Sequence, residues 1–168
     1  VFHRVGALQT LADPMENVVR RADFIMYQAK NHKDAVAVDT QDSRLAAQKD
    51  VLGEKPVILL VDDSMMNRMM LAGILGEDYR ILEAENGKQC LELLRANAGQ
   101  ISLVLLDINM PVMDGFEVLR TMNTNHTIED VPVIMISSDD SEEAIRKAYE
   151  LGASDYVNRP FDAKIVYR

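Results

Sequence analysis

From Pro56 onward, short apolar runs alternate with segments whose apolar residues recur at helical spacing. VILLVDD (57–63), YRILEAE (79–85), ISLVLLDIN (101–109), VPVIMISS (131–138) and SDYVN (154–158) read as five strands. MMNRMMLAGILG (65–76), NGKQCLELLRANAG (86–99), DGFEVLRTMN (114–123) and SEEAIRKAYELG (141–152) read as the helices between them. Gly76 supplies a stop signal, and Ser141 opens the fourth helix with acids in its first turn. DAKIVYR (162–168) begins a fifth helix and breaks off after about two turns. Strict alternation with apolar strands predicts an α/β fold, a doubly wound parallel sheet covered by helices on both faces.

The pattern before Pro56 differs. Residues 10–31 carry one stripe at helical period, formed by Met15, Val18, Val19, Ala22, Ile25, Met26 and Ala29. Asp13 can cap this helix, Pro14 suits its first position, and Glu16 completes a capping-box spacing. DAVAVD (34–39) alternates like a short strand. The chain therefore divides into an N-terminal helix and strand (1–40), a polar linker (41–55) and the alternating domain (56–168). With no initiator Met and a helix broken off at the end, it reads as an internal piece of a longer protein.

Composition narrows the classes. A net charge of -9 disfavours a nucleic-acid surface, which needs cations to displace counterions. The single cysteine, Cys90, excludes a disulfide framework within the chain and reads as a small buried hydrophobe. No apolar run approaches the roughly 18 residues of a membrane helix. A cytoplasmic setting is the expectation.

In a doubly wound sheet, ligands bind outside the carboxyl ends of the strands. Those ends carry Asp62-Asp63, Glu83-Ala84-Glu85, Asp107, Ser137-Ser138 and Asn158-Arg159-Pro160. With strand order 2-1-3-4-5, three carboxylates, a hydroxyl and a guanidinium share one cleft. Carboxylates that close repel unless a cation sits among them. Arg159 is one candidate, and a divalent metal is the other. Oxygen ligands with no histidine or thiolate nearby favour Mg²⁺ or Mn²⁺ over zinc. A carboxylate beside such a metal can attack phosphorus and form an aspartyl phosphate.

These residues also carry a family likeness. ILLVDDSMMNR, LLDINMPVMDGFEVLR, VPVIMISS and GASDYVNRPF, in this order and spacing, resemble the receiver domain of two-component response regulators. The strand order 2-1-3-4-5 of the flavodoxin-like fold is carried over from that family, of which a chemotaxis receiver is a type example. The resemblance implies Asp107 as phospho-acceptor, with Asp63, Asp107 and the Asn109 carbonyl on Mg²⁺ directly and Asp62 acting mostly through metal-bound water. It also implies Ser137 as hydroxyl switch, Tyr156 as rotating aromatic, and Pro111 and Gly115 as shapers of the loop after the acceptor. Arg159 departs from the family pattern, which has lysine before Pro160. Arginine keeps the charge but is planar and forked, and the Arg159–Pro160 bond is a candidate for the cis form.

The implied role is a regulatory phosphorylation switch and not an enzyme. Its partners are a histidine kinase or phosphotransfer protein and an output domain in the parent chain. The face made by the fourth helix, fifth strand and fifth helix would change on phosphorylation. Such domains also pair there, so a homodimer is a further partner choice. Two rival readings stand beside it: a pseudo-receiver that takes no phosphate because of Arg159, and an aspartyl-phosphate phosphohydrolase. The hydrolase is disfavoured because Asn109 stands where a second acid is wanted. ENGKQC lacks the full phosphate-loop pattern and reads as the opening of a helix.

Residues 5–38, with RRADFIMYQAK at their core, resemble the C-terminal end of a GGDEF-type diguanylate cyclase domain. That resemblance covers a tail without the nucleotide- and metal-binding signature. It implies a parent linked to cyclic di-GMP signalling and no cyclase activity in this chain.

Overall fold

A computed structural model describes residues 14–36 and 54–159. The elements are α1 (Pro14–Val36), β1 (Val57–Val61), α2 (Met65–Leu75), β2 (Arg80–Ala84), α3 (Gly87–Ala96), β3 (Ile101–Asp107), α4 (Gly115–Thr124), α5 (Thr127–Asp130), β4 (Val133–Ser137), α6 (Glu142–Glu150) and β5 (Asp155–Asn158). The strands form one parallel sheet in the order β2-β1-β3-β4-β5. The fold is therefore the flavodoxin-like one expected.

Because side chains alternate along a strand, a buried parallel strand feeds two cores. Leu59, Val61, Val104, Leu106, Met135 and Tyr156 face α3, α4 and α6, against Cys90, Val118, Leu119, Met122 and Ala148. Ile58, Leu60, Leu103, Leu105, Ile134, Ile136 and Val157 face the opposite way. There they meet Leu71 and Leu75 of α2 and Val18, Ala22 and Ile25 of α1. The apolar stripe of the N-terminal helix thus has a partner, and that partner is the sheet. Burying Val18 and Ile25 is worth roughly 3–6 kcal/mol before the cost of ordering the helix.

Helix starts follow their caps. The side chains of Ser64, Asn86, Asp114 and Ser141 accept from the backbone N–H three residues on, at 3.3, 2.9, 2.9 and 3.2 Å. Gly76 ends α2 in right-handed and not left-handed geometry; a Cβ there would lie 2.6 Å from the Ala72 carbonyl oxygen. Close approach, rather than positive φ, requires this glycine.

Two expectations change. The helix continues through Asp34, Ala35 and Val36, where the alternation predicts a strand. A strand needs a ladder partner for its backbone groups, whereas a helix satisfies them itself. The short helix α5 has no counterpart in the hydrophobic pattern, because it buries no residue. Asp13, residues 37–53 (the rest of the expected strand and most of the 41–55 linker), Pro160 and the fifth helix lie outside the described residues.

Candidate functional site

The carboxyl ends of β1 and β3 are adjacent, with Val61 paired to Leu106. Asp62 and Asp63 follow β1 and Asp107 ends β3, so the topology alone delivers three carboxylates to one spot. One oxygen from each lies within 4.8 Å of the others. Trans ligands of an octahedral Mg²⁺ are about 4.2 Å apart. At most one pair of three ligands can be trans and the rest stand cis at about 3 Å, so a hard divalent cation suits this all-oxygen set by drawing the carboxylates closer together.

Burial differs among the three. Asp62 and Asp107 are buried, and Asp63 is exposed. Burial pushes the Asp107 carboxyl up to about 6, against the pull of Arg159 and with the push of Asp62 and Asp63. Asp62 is also raised by burial, although the Ser64 N–H and Arg159 oppose the shift. Burial first, and neighbouring acids to a smaller degree, disfavour the charged carboxylates here, and a bound cation would favour them.

Asp62 is held on every side. Its Oδ1 accepts from the Ser64 N–H at 2.8 Å, and its Oδ2 from the Asn67 side chain at 3.4 Å. Its carbonyl accepts from Arg68 Nη1 at 2.7 Å. Arg68 is buried in α2 and also reaches Glu83 at 3.3 Å and Glu85 at 3.8 Å. The acids at the end of β2 are thus occupied by Arg68 and stay out of the carboxylate cluster. Sequence reasoning overlooked Arg68. Its signal was a lone cation inside the apolar run MMNRMML.

Arg159 follows β5 and crosses to the cluster. Its Nη2 donates to Asp62 Oδ2 and lies 3.4 Å from Asp107 Oδ1. Its backbone N–H donates to the Ser137 carbonyl at 2.7 Å, and its Nε is buried without a partner. Ser137 is fully buried at the end of β4, and its Oγ accepts from the Asp139 N–H at 3.1 Å. Tyr156 is turned inward, with its hydroxyl donating to the Asp139 carbonyl. Burial raises its pKa.

The loop after Asp107 is tightly wound. The Gly115 N–H donates to the Ile108 carbonyl at 2.8 Å, and a Cβ on Gly115 would sit 2.3 Å from the Asp107 carbonyl oxygen. The Met113 N–H reaches back to the Pro111 carbonyl at 2.7 Å, around Val112 at φ 70°. A β-branched residue at positive φ stores strain next to the site. Asn109 and Pro111 are exposed on this loop. The structure thus brings Asp62, Asp63, Asp107 and Arg159 together, with Ser137 and Tyr156 linked through Asp139. Pro160 lies outside the described residues.

Comparison with known proteins gives this geometry a lineage. The rice (Oryza sativa subsp. japonica) protein "Two-component response regulator ORR5" is 32% identical over 117 residues, covering 69% of this chain and 87% of that protein. A "Probable cyclic di-GMP phosphodiesterase" of Vibrio cholerae is 43% identical over 103 residues, 61% of this chain and 23% of that protein. The CheX-CheY-BeF3-Mg+2 complex from Borrelia burgdorferi contains a structure similar to this one. It has a TM-score of 0.60 and 30% identity, and the match covers 69% of this chain and 87% of that one. Receiver domains bind Mg²⁺ through acidic residues and work with histidine kinases and phosphotransfer proteins. The family description "Response regulator receiver domain" matches residues 58–167, and the chain belongs to that family of two-component signalling proteins.

Proposed function

We propose that this chain is a phosphorylation switch that accepts a phosphoryl group on Asp107 from a histidine kinase or phosphotransfer protein. The observation that carries the reading is the Asp107 carboxylate, fixed at the end of the central strand with Asp62, Asp63 and Arg159 around it. With its carboxyl at about 6, Asp107 is mostly ionised at neutral pH. Its oxygen attacks the phosphorus of a phosphohistidine, the P–N bond breaks, and the imidazole leaves with the electron pair. Bound Mg²⁺ would neutralise phosphoryl charge, held by Asp63, Asp107 and the Asn109 carbonyl, with Asp62 acting mostly through metal-bound water. Arg159 and the Ser137 hydroxyl supply donors to the remaining oxygens. Ser137 moving towards that group would disturb its bond from the Asp139 N–H, and Asp139 also holds Tyr156. The change would pass to the face of α6, β5 and the segment after it, and so to an output domain or a second copy of the chain.

Met65, Met66, Met69 and Val112 are exposed. They give a donor protein an apolar rim to dock against near Asp107. A cytoplasmic setting suits such a donor. Among the described residues, no helix is long and apolar enough to cross a membrane. For residues 1–40 the proposal is the end of a GGDEF-type domain, followed by a linker at 41–55. The RRADFIMYQAK stretch supports this, and the name of the Vibrio relative supports only a parent linked to cyclic di-GMP signalling. The pseudo-receiver reading has one observation in its favour, the engagement of Arg159 with Asp62. Acetyl phosphate with Mg²⁺ separates the two. Acid-labile label that disappears in Asp107→Asn supports the switch, and no label at saturating donor supports the pseudo-receiver.

A further inference from the structure

The turn between β2 and α3, Glu85 to Gln89, reaches both halves of the acid site without giving an oxygen to it. On one side Glu85 pairs with Arg68 at 3.8 Å, and Arg68 Nη1 donates to the Asp62 carbonyl at 2.7 Å. On the other, the Gly87 N–H donates to the Met113 carbonyl at 3.2 Å. Met113 stands in the loop of residues 108–114, which carries the Asn109 carbonyl. The turn itself is closed. Asn86 Oδ1 accepts from the Gln89 N–H at 2.9 Å, and Gln89 Oε1 accepts from the Glu85 N–H at 2.9 Å.

Gly87 is where this brace meets the loop. A Cβ there would lie 2.6 Å from Val118 Cγ2, 2.7 Å from the Met113 carbonyl oxygen and 2.9 Å from Met113 Cγ. Val118 belongs to α4, so the glycine is seated against the loop and the helix that follows it. The loop is not at rest. Val112 is held at φ 70°, and the Met113 N–H closes back on the Pro111 carbonyl. A turn strained in this way persists only where its surroundings hold it. The Gly115–Ile108 bond closes the base of the loop, and the Gly87–Met113 bond ties it to α3.

We propose that Gly87 is a positioning residue for the cation site: its N–H and its missing Cβ set where the 108–114 loop, and with it the Asn109 carbonyl, lies relative to the acids. This deepens the switch reading and rests on it. The β2–α3 turn then serves as one reference for both sides of the site, Asp62 through Arg68 and the loop through Gly87. Loss of the Gly87–Met113 bond lets Val112 leave its strained turn, and the Asn109 carbonyl shifts with the loop. By reciprocity, a cation bound to the placed loop strengthens that bond by the factor the bond lends to its affinity.

The test is calorimetric titration of Mg²⁺ into the 168-residue chain and its Gly87→Ala and Gly76→Ala variants, at one pH and ionic strength. Gly76→Ala is the control. It also drives a Cβ against backbone, 2.6 Å from the Ala72 carbonyl oxygen, but at the C-terminal end of α2, whose N-terminal end adjoins the acids. The expected result is binding about 10-fold weaker in Gly87→Ala and within about 2-fold of the parent in Gly76→Ala. A second readout needs no variant: amide exchange at Gly87 in the parent should slow about 10-fold at saturating Mg²⁺. Where Gly87→Ala does not fold, this readout decides alone. The positioning role is overturned, and the switch reading left standing, by any of three results in a parent that binds Mg²⁺. These are equal binding by Gly87→Ala, equal losses in both variants, and unchanged exchange at Gly87. If the parent binds no Mg²⁺, the switch reading falls and takes this inference with it.

Discussion

Arg21 and Asp155, 134 positions apart, meet at 3.3 Å between Nη1 and Oδ1. The same Nη1 donates to the Tyr156 carbonyl at 3.1 Å. Asp155 Oδ1 also accepts from the Tyr156 N–H at 2.8 Å and the Tyr149 hydroxyl at 3.2 Å. One carboxylate oxygen thus ties α1, α6 and β5 together. The Tyr156 side chain is anchored to Asp139 on one side of the sheet while its main chain holds α1 on the other.

Arg21→Ala should loosen α1 from the sheet. The pair is part-exposed, so its Coulomb share is small, and the bond to a carbonyl adds to it. A loss of about 1 kcal/mol is expected in urea unfolding. Faster amide exchange in α1, with β1 and β3 unchanged, would locate the effect.

Asp107 makes stability depend on pH in a definite direction. Its folded carboxyl is raised from 3.8 to about 6, so the folded chain keeps a proton that the unfolded chain releases in that interval. Stability therefore falls as pH rises from about 4 to about 6, and the deficit persists above it. The size is up to about 3 kcal/mol. Asp62 is raised as well, so the quantity to measure is the parent minus Asp107→Asn. That difference should open across this interval, leaving the variant more stable at pH 7.

Gly115→Ala places a carbon against backbone, 2.3 Å from the Asp107 carbonyl oxygen and 2.9 Å from Ile108 Cα. Neither neighbour is a flexible side chain that can step aside. Destabilisation of at least about 2 kcal/mol is expected from the melting midpoint, together with weaker labelling of Asp107 by acetyl phosphate.

Val112→Gly should act in the opposite sense. Val112 is 76% exposed at φ 70°, so it contributes little packing and carries backbone strain. Relief of that strain should raise stability by about 1 kcal/mol in chemical unfolding. A variant less stable than the parent would show that the valine side chain holds the loop.

The hydrophobic pattern was enough for the strands, because apolar runs buried on both faces leave little ambiguity in a parallel sheet. Asp107 was legible for the same reason: a carboxylate that ends such a run has nowhere to go but the sheet edge. The site's internal wiring was not. Whether Arg159 touches Asp62 or Asp107 first depends on how far β5 sits from β1 and on the reach of a guanidinium. Arg68 was hidden because a buried arginine looks, in one dimension, like a surface residue on an amphipathic helix. The stripe of α1 predicted a partner without naming it. The strand expected at 34–39 failed at 34–36, because a period-2 pattern of that length also fits the end of a helix.

The docking of α1 has a consequence for any other molecule that seeks the same sheet face. Val18, Ala22, Ile25 and one arginine make a modest contact, and as a separate peptide α1 would bind weakly. Joined to the sheet by the chain itself, it acts at an effective concentration set by that connection and not by how much protein is present. Dilution leaves its occupancy unchanged, and a competitor must exceed a local concentration that never falls.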